Sequence, residues 1–335
     1  MMRKILAICL AAALMLGLLC SCSSSGSGKK KEIVDLSFQY EAAEAYSGSV
    51  KIDCTELGRA MLDSAKESYK TAQSGVEVTV ETSGHDDSIE RFVSKEIDVL
   101  ILSADTSKEQ DEAIVGAYGD GQAVQLRFAT DGIAIIVNPA NTRLDCITKE
   151  EIVNLFTAGG LCSDDAVTWS DLHGSDSDEQ ITVCGTGETD DLYCYFRKLV
   201  LQGKDVLTTY QPKDSIEAVL DTVASDPNAI AFVSLSAYLR SADRVKALPV
   251  DFGRGPTEPT KENILGTGSI MGPYSEFTYP LFLYVGRANA KENAQVFDFV
   301  RYLLSDQGAA KLAEELHYIP LSESDYVNQI GTLAN

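Results

Sequence analysis

Two short stretches constrain the fold most: "IDVLILS", residues 97–103, and "DGIAIIVNP", residues 131–139. Each is a nearly unbroken apolar run that ends in polar or turn residues. A strand that is apolar on both faces must be covered on both, and helices packed on either side of a parallel sheet do this. The intervening segments supply the helices. "LGRAMLDSAKESYKTA" sets Leu57, Met61, Ala65 and Tyr69 four apart, on one helical face. "DDSIERFVSKEI" does the same over a shorter span with Ile89, Phe92 and Val93. Between them, "GVEVTVET" alternates Val76, Val78 and Val80 inward, the period of a strand. "ITKEEIVNLFTAG" opens with Thr148 and Glu151 at capping-box spacing. Further on, "QITVCGT" predicts a strand and "DDLYCYFRKLVLQG" a helix closed by Gly203. "SIEAVLDTVASDPNAIAFVSLSAYL" predicts helix, turn and strand; "YPLFLYVGR" is a late strand, followed by a helix pair broken near Asp306 and Gly308. This order is that of an α/β protein.

The first residues stand apart from that pattern. Arg3 and Lys4 precede an apolar run from Ile5 to Leu19, which has the form of a secretory signal and is too short for a comfortable membrane span. Leu19 lies three before Cys22, with small Ser21 between, a spacing that resembles a bacterial lipobox. It predicts a signal peptide over 1–21, acylation of Cys22, and a lipidated flexible tether over 22–32 that includes "SSSGSGKKK". Secretion with cleavage nearby is the alternative. The mature chain is then expected outside the cytoplasmic membrane, anchored to it as a lipoprotein.

Fifty acidic against 28 basic residues give a formal charge of −22, which argues against a nucleic-acid partner. Cys54, Cys146, Cys162, Cys184 and Cys194 follow the leader; their spacing matches no zinc template, and an odd number cannot all pair within one chain. Cys146–Cys162, Cys184–Cys194 and free thiols all stay open. With only His85, His173 and His317 present, a multi-histidine metal site is not expected, nor is a cofactor.

Several stretches together resemble one family. "DGIAIIVNPANTRLDCITKEEIVNLFTAG", then "TWSDL", "NAIAFVSLSAYL", "PTKENILGTG", "YPLFLYV" and "FVRYLLSDQGAAKLAEELHYIPL" are similar, in order and spacing, to the phosphate-binding proteins of bacterial ABC phosphate importers. The resemblance implies a two-lobed periplasmic-binding-protein-like fold of type II, with two chain crossings near Thr130–Gly132 and Tyr279–Phe282. Lobe I would comprise 33–131 plus 280–335 and lobe II 132–279. It implies a monomer that takes a small inorganic anion, phosphate, in the interlobe cleft and hands it to an ABC permease.

The same resemblance names candidate ligands on three loops. After the first strand, Thr55 stands where the family has hydroxyls on the solute; serving only as a helix cap is the other reading. Ser83 and Gly84 match a Ser-Gly before a helix, with Asp86 as an alternative N-cap and His85 expected as an exposed loop residue. Ser103 falls where an Asp or Ser faces the solute, but Ala104 replaces the arginine that often follows. In "CGTGETDDLYCYF" the family pattern Arg-x-Asp-x-Ser-Gly-Thr places Thr186 at the arginine, Glu188 at the acid, and Asp190 and Asp191 at Ser-Gly. A shifted alignment would use Thr186, Gly187 and Thr189 instead.

A helix N-terminus favours an anion by roughly 0.3–1 kcal/mol. A carboxylate about 4 Å from a phosphate charge costs on the order of 4 kcal/mol at an effective dielectric near 20. The two aspartates are therefore expected to cap their own helix in the place of the lost ligand. Three functions follow: a phosphate-type solute-binding lipoprotein; a binder of another ligand, with "HDD" and "GETDD" facing each other around a cation; or a surface sensor with a degenerate site. No nucleophile–His–acid set is visible in the sequence, so an enzyme is not expected.

Overall fold

The computed structural model describes residues 37–160, 167–266 and 271–334. Cys22, the leader and tether, and Cys162 lie outside the described residues.

The chain opens with β1 (Gly48–Cys54), α1 (Glu56–Ala72), β2 (Val76–Thr82), α2 (His85–Val93), β3 (Val99–Leu102) and α3 (Lys108–Tyr118). A long strand, β4 (Ala123–Val137), follows. Next come β5 (Ile147–Thr148), α4 (Lys149–Phe156), β6 (Thr182–Thr186) and α5 (Asp191–Tyr195). After these lie β7 (Gln211–Lys213), α6 (Ile216–Ser225), β8 (Ala229–Ser234) and α7 (Leu235–Arg240). The short strands β9 (Lys246–Ala247), β10 (Val250–Asp251) and β11 (Pro256–Thr257) precede β12 (Thr278–Gly286), and helices occupy the C-terminal part.

One sheet runs β2-β1-β3-β12-β4-β8-β6-β7, with β9 also on β4; β11-β10-β5 form a small second sheet. β4 belongs to both halves of the large sheet. Its residues 123–132 pair with β12, and Ile133–Val137 pair with β8. The sequence placed this strand from Asp131 onward; it starts eight residues earlier, at Ala123, in a stretch where buried Val124, Leu126 and Phe128 alternate with exposed Gln125 and Arg127. That first part has one solvated face and the second has none, so a single strand changes period part-way along. The continuous runs behave as expected: all of β3 and all of Ile133–Val137 are buried.

Each half has its own aromatic core. Tyr40, Tyr69 and Tyr302 pack edge-on or tilted at 5.0–5.1 Å in one, with the Tyr40 and Tyr69 hydroxyls donating to buried Asp298. In the other, Phe196 stacks on Phe232 at 3.8 Å beside Phe156, and Trp169 is fully buried. Thr148 and Glu151 form the expected capping box. The expected helix after Asp190 does form, but α5 widens into a π turn over Phe196–Val200 before Gly203 ends it at φ +81°. The break in the last helix pair falls at Gly308, whose φ −90°, ψ −117° is not helical. Cys184 and Cys194 are free thiols, so the Cys184–Cys194 pairing is not made.

Candidate functional site

The parallel strands β1, β2 and β3 lie side by side, with Cys54 opposite both Thr82 and Ile101. Their carboxyl ends therefore deliver Thr55, the Ser83–His85 turn and Ser103 to one edge, the usual ligand position of an open α/β sheet. The turn between β6 and α5, on the other half of the sheet, reaches the same place. There the chain has already supplied an anion.

The Asp191 side chain, fully buried at the start of α5, accepts four hydrogen bonds on Oδ2. They come from Thr55 Oγ1 at 2.9 Å, Ser103 N at 2.7 Å, Ser103 Oγ at 2.7 Å and Ala104 N at 3.1 Å. Its Oδ1 lies 2.8 Å from His85 Nδ1, and the His85 side chain is only 13% exposed. Two hydroxyls, two backbone N–H groups and an imidazole thus converge on a single carboxylate. This is the donor set of an oxyanion site. Further contacts tie the two sides: His85 N to Thr189 O at 3.5 Å, and a Lys198–Asp105 ion pair.

The candidate residues divide. Thr55, Ser103 and Asp191 come together in this cradle. Thr55 is the N-cap residue of α1, but its hydroxyl makes no cap bond and serves Asp191 instead. Gly84 is the N-cap of α2, not Asp86, and it faces Thr189 on the opposite turn. Ser83 turns away, donating to buried Asp53 at 2.8 Å, which also takes Ser88 Oγ and the Arg91 guanidinium. Thr186 is buried with its Oγ1 unpartnered, near Asp190 but outside hydrogen-bonding geometry, while its carbonyl accepts from Tyr210 Oη at 2.6 Å. Glu188 is exposed and lines an outer groove of about 850 Å³ with Tyr193, Arg197 and Lys198.

Two expectations need correction. Asp190 does cap its own helix, its Oδ1 accepting Leu192 N at 2.8 Å, but Asp191 does not; it crosses to the facing turns because they offer more donors than its own helix start. His85 is not an exposed loop residue but the first residue of α2, held against Asp191. Sequence reasoning missed it because a lone histidine between polar residues carries no period. The loss of the arginine at Ala104 was the available signal that the chain neutralises its anion differently. "HDD" and "GETDD" do face each other, yet their meeting is this ion pair. Four donors on Oδ2 leave it no lone pair for a cation.

The charges follow from the geometry. Burial would raise Asp191, but the His85 hydrogen bond and charge, with the Ser103 donors, outweigh it and hold the carboxyl below its ordinary value. Burial would likewise lower His85, and Asp191 overrides it, so the imidazole is raised. Asp190 is pushed up to about 6, by burial first, against its Leu192 N–H bond and with the Asp191 charge adding. Asp131, fully buried where β4 changes partners, is also pushed up to about 6 by burial, against donors from Ser236 and Gly132.

Elsewhere, Cys146 Sγ lies 3.6 Å from His173 Nε2, and His173 Nδ1 lies 2.6 Å from Glu151 Oε2, a nucleophile–His–acid line that the sequence did not reveal. Burial and the carboxylates of Asp251, Glu151 and Asp145 push the Cys146 thiol up, the opposite of activation. The line is a cap: Glu151 holds the Thr148 turn and the His173 backbone N–H together.

Comparison with known proteins agrees with the architecture. The phosphate-binding protein PstS of Staphylococcus aureus (strain USA300) is 23% identical over 287 residues, spanning 85% of this chain and 82% of its own. Protein SphX of Synechocystis sp. is 26% identical over 262 residues, 77% of this chain and 74% of its own. Among solved structures, a putative phosphate ABC transporter substrate-binding protein with bound phosphate from Clostridium perfringens superposes with TM-score 0.66 at 22% identity, covering 82% of this chain and 100% of that one. An ABC-type phosphate transport receptor from Vibrio cholerae gives 0.62 at 22%, covering 81% and 100%. The fold is that of two-lobed binding proteins. A family model described as a PBP superfamily domain matches residues 40–307, and the chain belongs to that superfamily.

Proposed function

We propose that the chain is an extracytoplasmic solute-binding lipoprotein of the phosphate-importer type, taking a small oxyanion between lobe I (33–131 plus 280–335) and lobe II (132–279). Phosphate is the solute that the named relatives suggest. The observation that carries the reading is the convergence of Thr55, Ser103 and Ala104 donors on one oxygen of Asp191. Such a set serves an anion, and a carboxylate oxygen there stands in for a solute oxygen. The partner is an ABC permease, and Cys22 carries the lipid anchor.

Calorimetric titration of the mature protein with phosphate and with sulfate, up to millimolar concentrations, tests this beside a Thr55→Ala/Ser103→Ala double variant. Saturable phosphate binding that the double variant loses supports the reading. Equal binding by both proteins would place the solute elsewhere. Mass spectrometry of the N-terminal peptide should show a diacylglyceryl adduct on Cys22; an unmodified terminus at another residue refutes the anchor.

One observation favours a second reading. Because Asp191 already satisfies the cradle, a surface sensor that stays closed is compatible with the same geometry. It predicts no phosphate response at any concentration.

A further inference from the structure

We infer that Asp191 is an internal ligand of the cleft, one that closes the lobes by itself and that any oxyanion must displace. The inference rests on the cradle being an oxyanion site, as proposed above. Asp191 rides on α5, behind β6, while every donor to it rides behind β1, β2 or β3. Its carboxylate therefore does what a solute does in a closing cleft, bridging groups from both sides. The donors are saturated: Thr55 Oγ1, Ser103 N, Ser103 Oγ and Ala104 N all point to Oδ2, and His85 Nδ1 to Oδ1.

A second anion has no place beside it. A carboxylate and an oxyanion about 4 Å apart repel strongly even at an intermediate dielectric. Solute entry must therefore withdraw Asp191 and break five contacts before making its own. In population terms, the competent open-loop form is a small fraction of the protein, and the apparent dissociation constant is the intrinsic one divided by that fraction. The tether is covalent, so the competitor is always present at high effective concentration. Every oxyanion is weakened by the same factor, so only one that the free cradle holds tightly, such as the phosphate dianion, binds measurably. Lys198 and Asp105 reinforce the closed form from the rim.

The test compares wild type, Asp191→Gly and Asp191→Ser, each dialysed free of phosphate, by small-angle scattering and by phosphate calorimetry. The serine variant guards against a helix-start defect in the glycine one. The expected result is a compact wild type whose scattering does not change with phosphate until high concentration. At least one variant should be extended without phosphate, should compact on adding it, and should bind at least 100-fold more tightly than wild type. Variants that bind phosphate no better than wild type, or that are as compact as wild type without it, overturn the internal-ligand inference and leave the oxyanion reading standing. Failure of wild type and both folded variants to bind either phosphate or sulfate overturns the oxyanion reading itself, and this inference with it.

Discussion

Replacing Asp191 by asparagine changes the shape of the cradle least and its charge most. The amide oxygen can still face Thr55, Ser103 and Ala104, but charge-assisted bonds of about 1.5–3 kcal/mol each become neutral ones of about 0.5–1.5 kcal/mol. Over four donors that is a loss of several kcal/mol. It is largely offset because a buried carboxylate no longer has to be desolvated, a penalty itself on the order of several kcal/mol. What stays uncompensated is His85, which loses the anion that keeps it charged. The net loss is expected at about 1–3 kcal/mol, read from urea unfolding near pH 6.

The pH profile sharpens the test. Asp191 is held below its ordinary value, so its contribution is present above the unfolded carboxyl value near 4 and is lost as pH falls through the folded one. His85 is raised, so its contribution is complete below about 6.5 and is lost as pH rises through its folded value. The stability gap between wild type and Asp191→Asn should thus be widest between about pH 4 and 6.5 and narrow on both sides. Asp86 also faces His85, and Asp190, raised by burial and in part by the Asp191 charge, relaxes downward in the variant, which further narrows the gap as pH rises towards 6. A gap below about 0.5 kcal/mol, or one flat across pH, would refute the assignment of Asp191 as the buried partner of His85.

Other consequences are simpler to check. Gly185→Ala would place a Cβ 2.3 Å from the Phe232 ring and 2.5 Å from Tyr210 Oη; with Phe232 stacked on Phe196, the cost is expected at about 1–3 kcal/mol by thermal unfolding. Tyr210→Phe removes the 2.6 Å bond to the Thr186 carbonyl and should cost about 0.5–1.5 kcal/mol in the same assay. Cys146, its thiol pushed up by burial and then by its acidic neighbours, should alkylate more slowly at neutral pH than a cysteine in an unstructured peptide, followed by mass spectrometry.

Periodicity made the scaffold legible. The runs through β3 and the second half of β4 could hardly be anything but buried strands, and Thr148 with Glu151 announced α4. The loops were harder. Thr55 and Ser103 were found through resemblance, but the sequence could not say that both would point at Asp191, because the contacts span 136 and 88 residues. Ser83 looked equally suitable and went to Asp53, a carboxylate buried at the end of β1 whose demand for donors no local pattern displays. The two aspartates look alike in sequence, and only the tertiary environment separates them. Asp190 sees one N–H of its own helix, whereas Asp191 sees five groups from the facing turns.

The most direct measurement is a high-resolution crystal structure of the mature protein grown free of phosphate and sulfate near neutral pH. The account predicts Asp191 Oδ2 within hydrogen-bond distance of Thr55 Oγ1, Ser103 and Ala104 N, with His85 on Oδ1. A cradle filled by water, with Asp191 turned out to solvent, would contradict it.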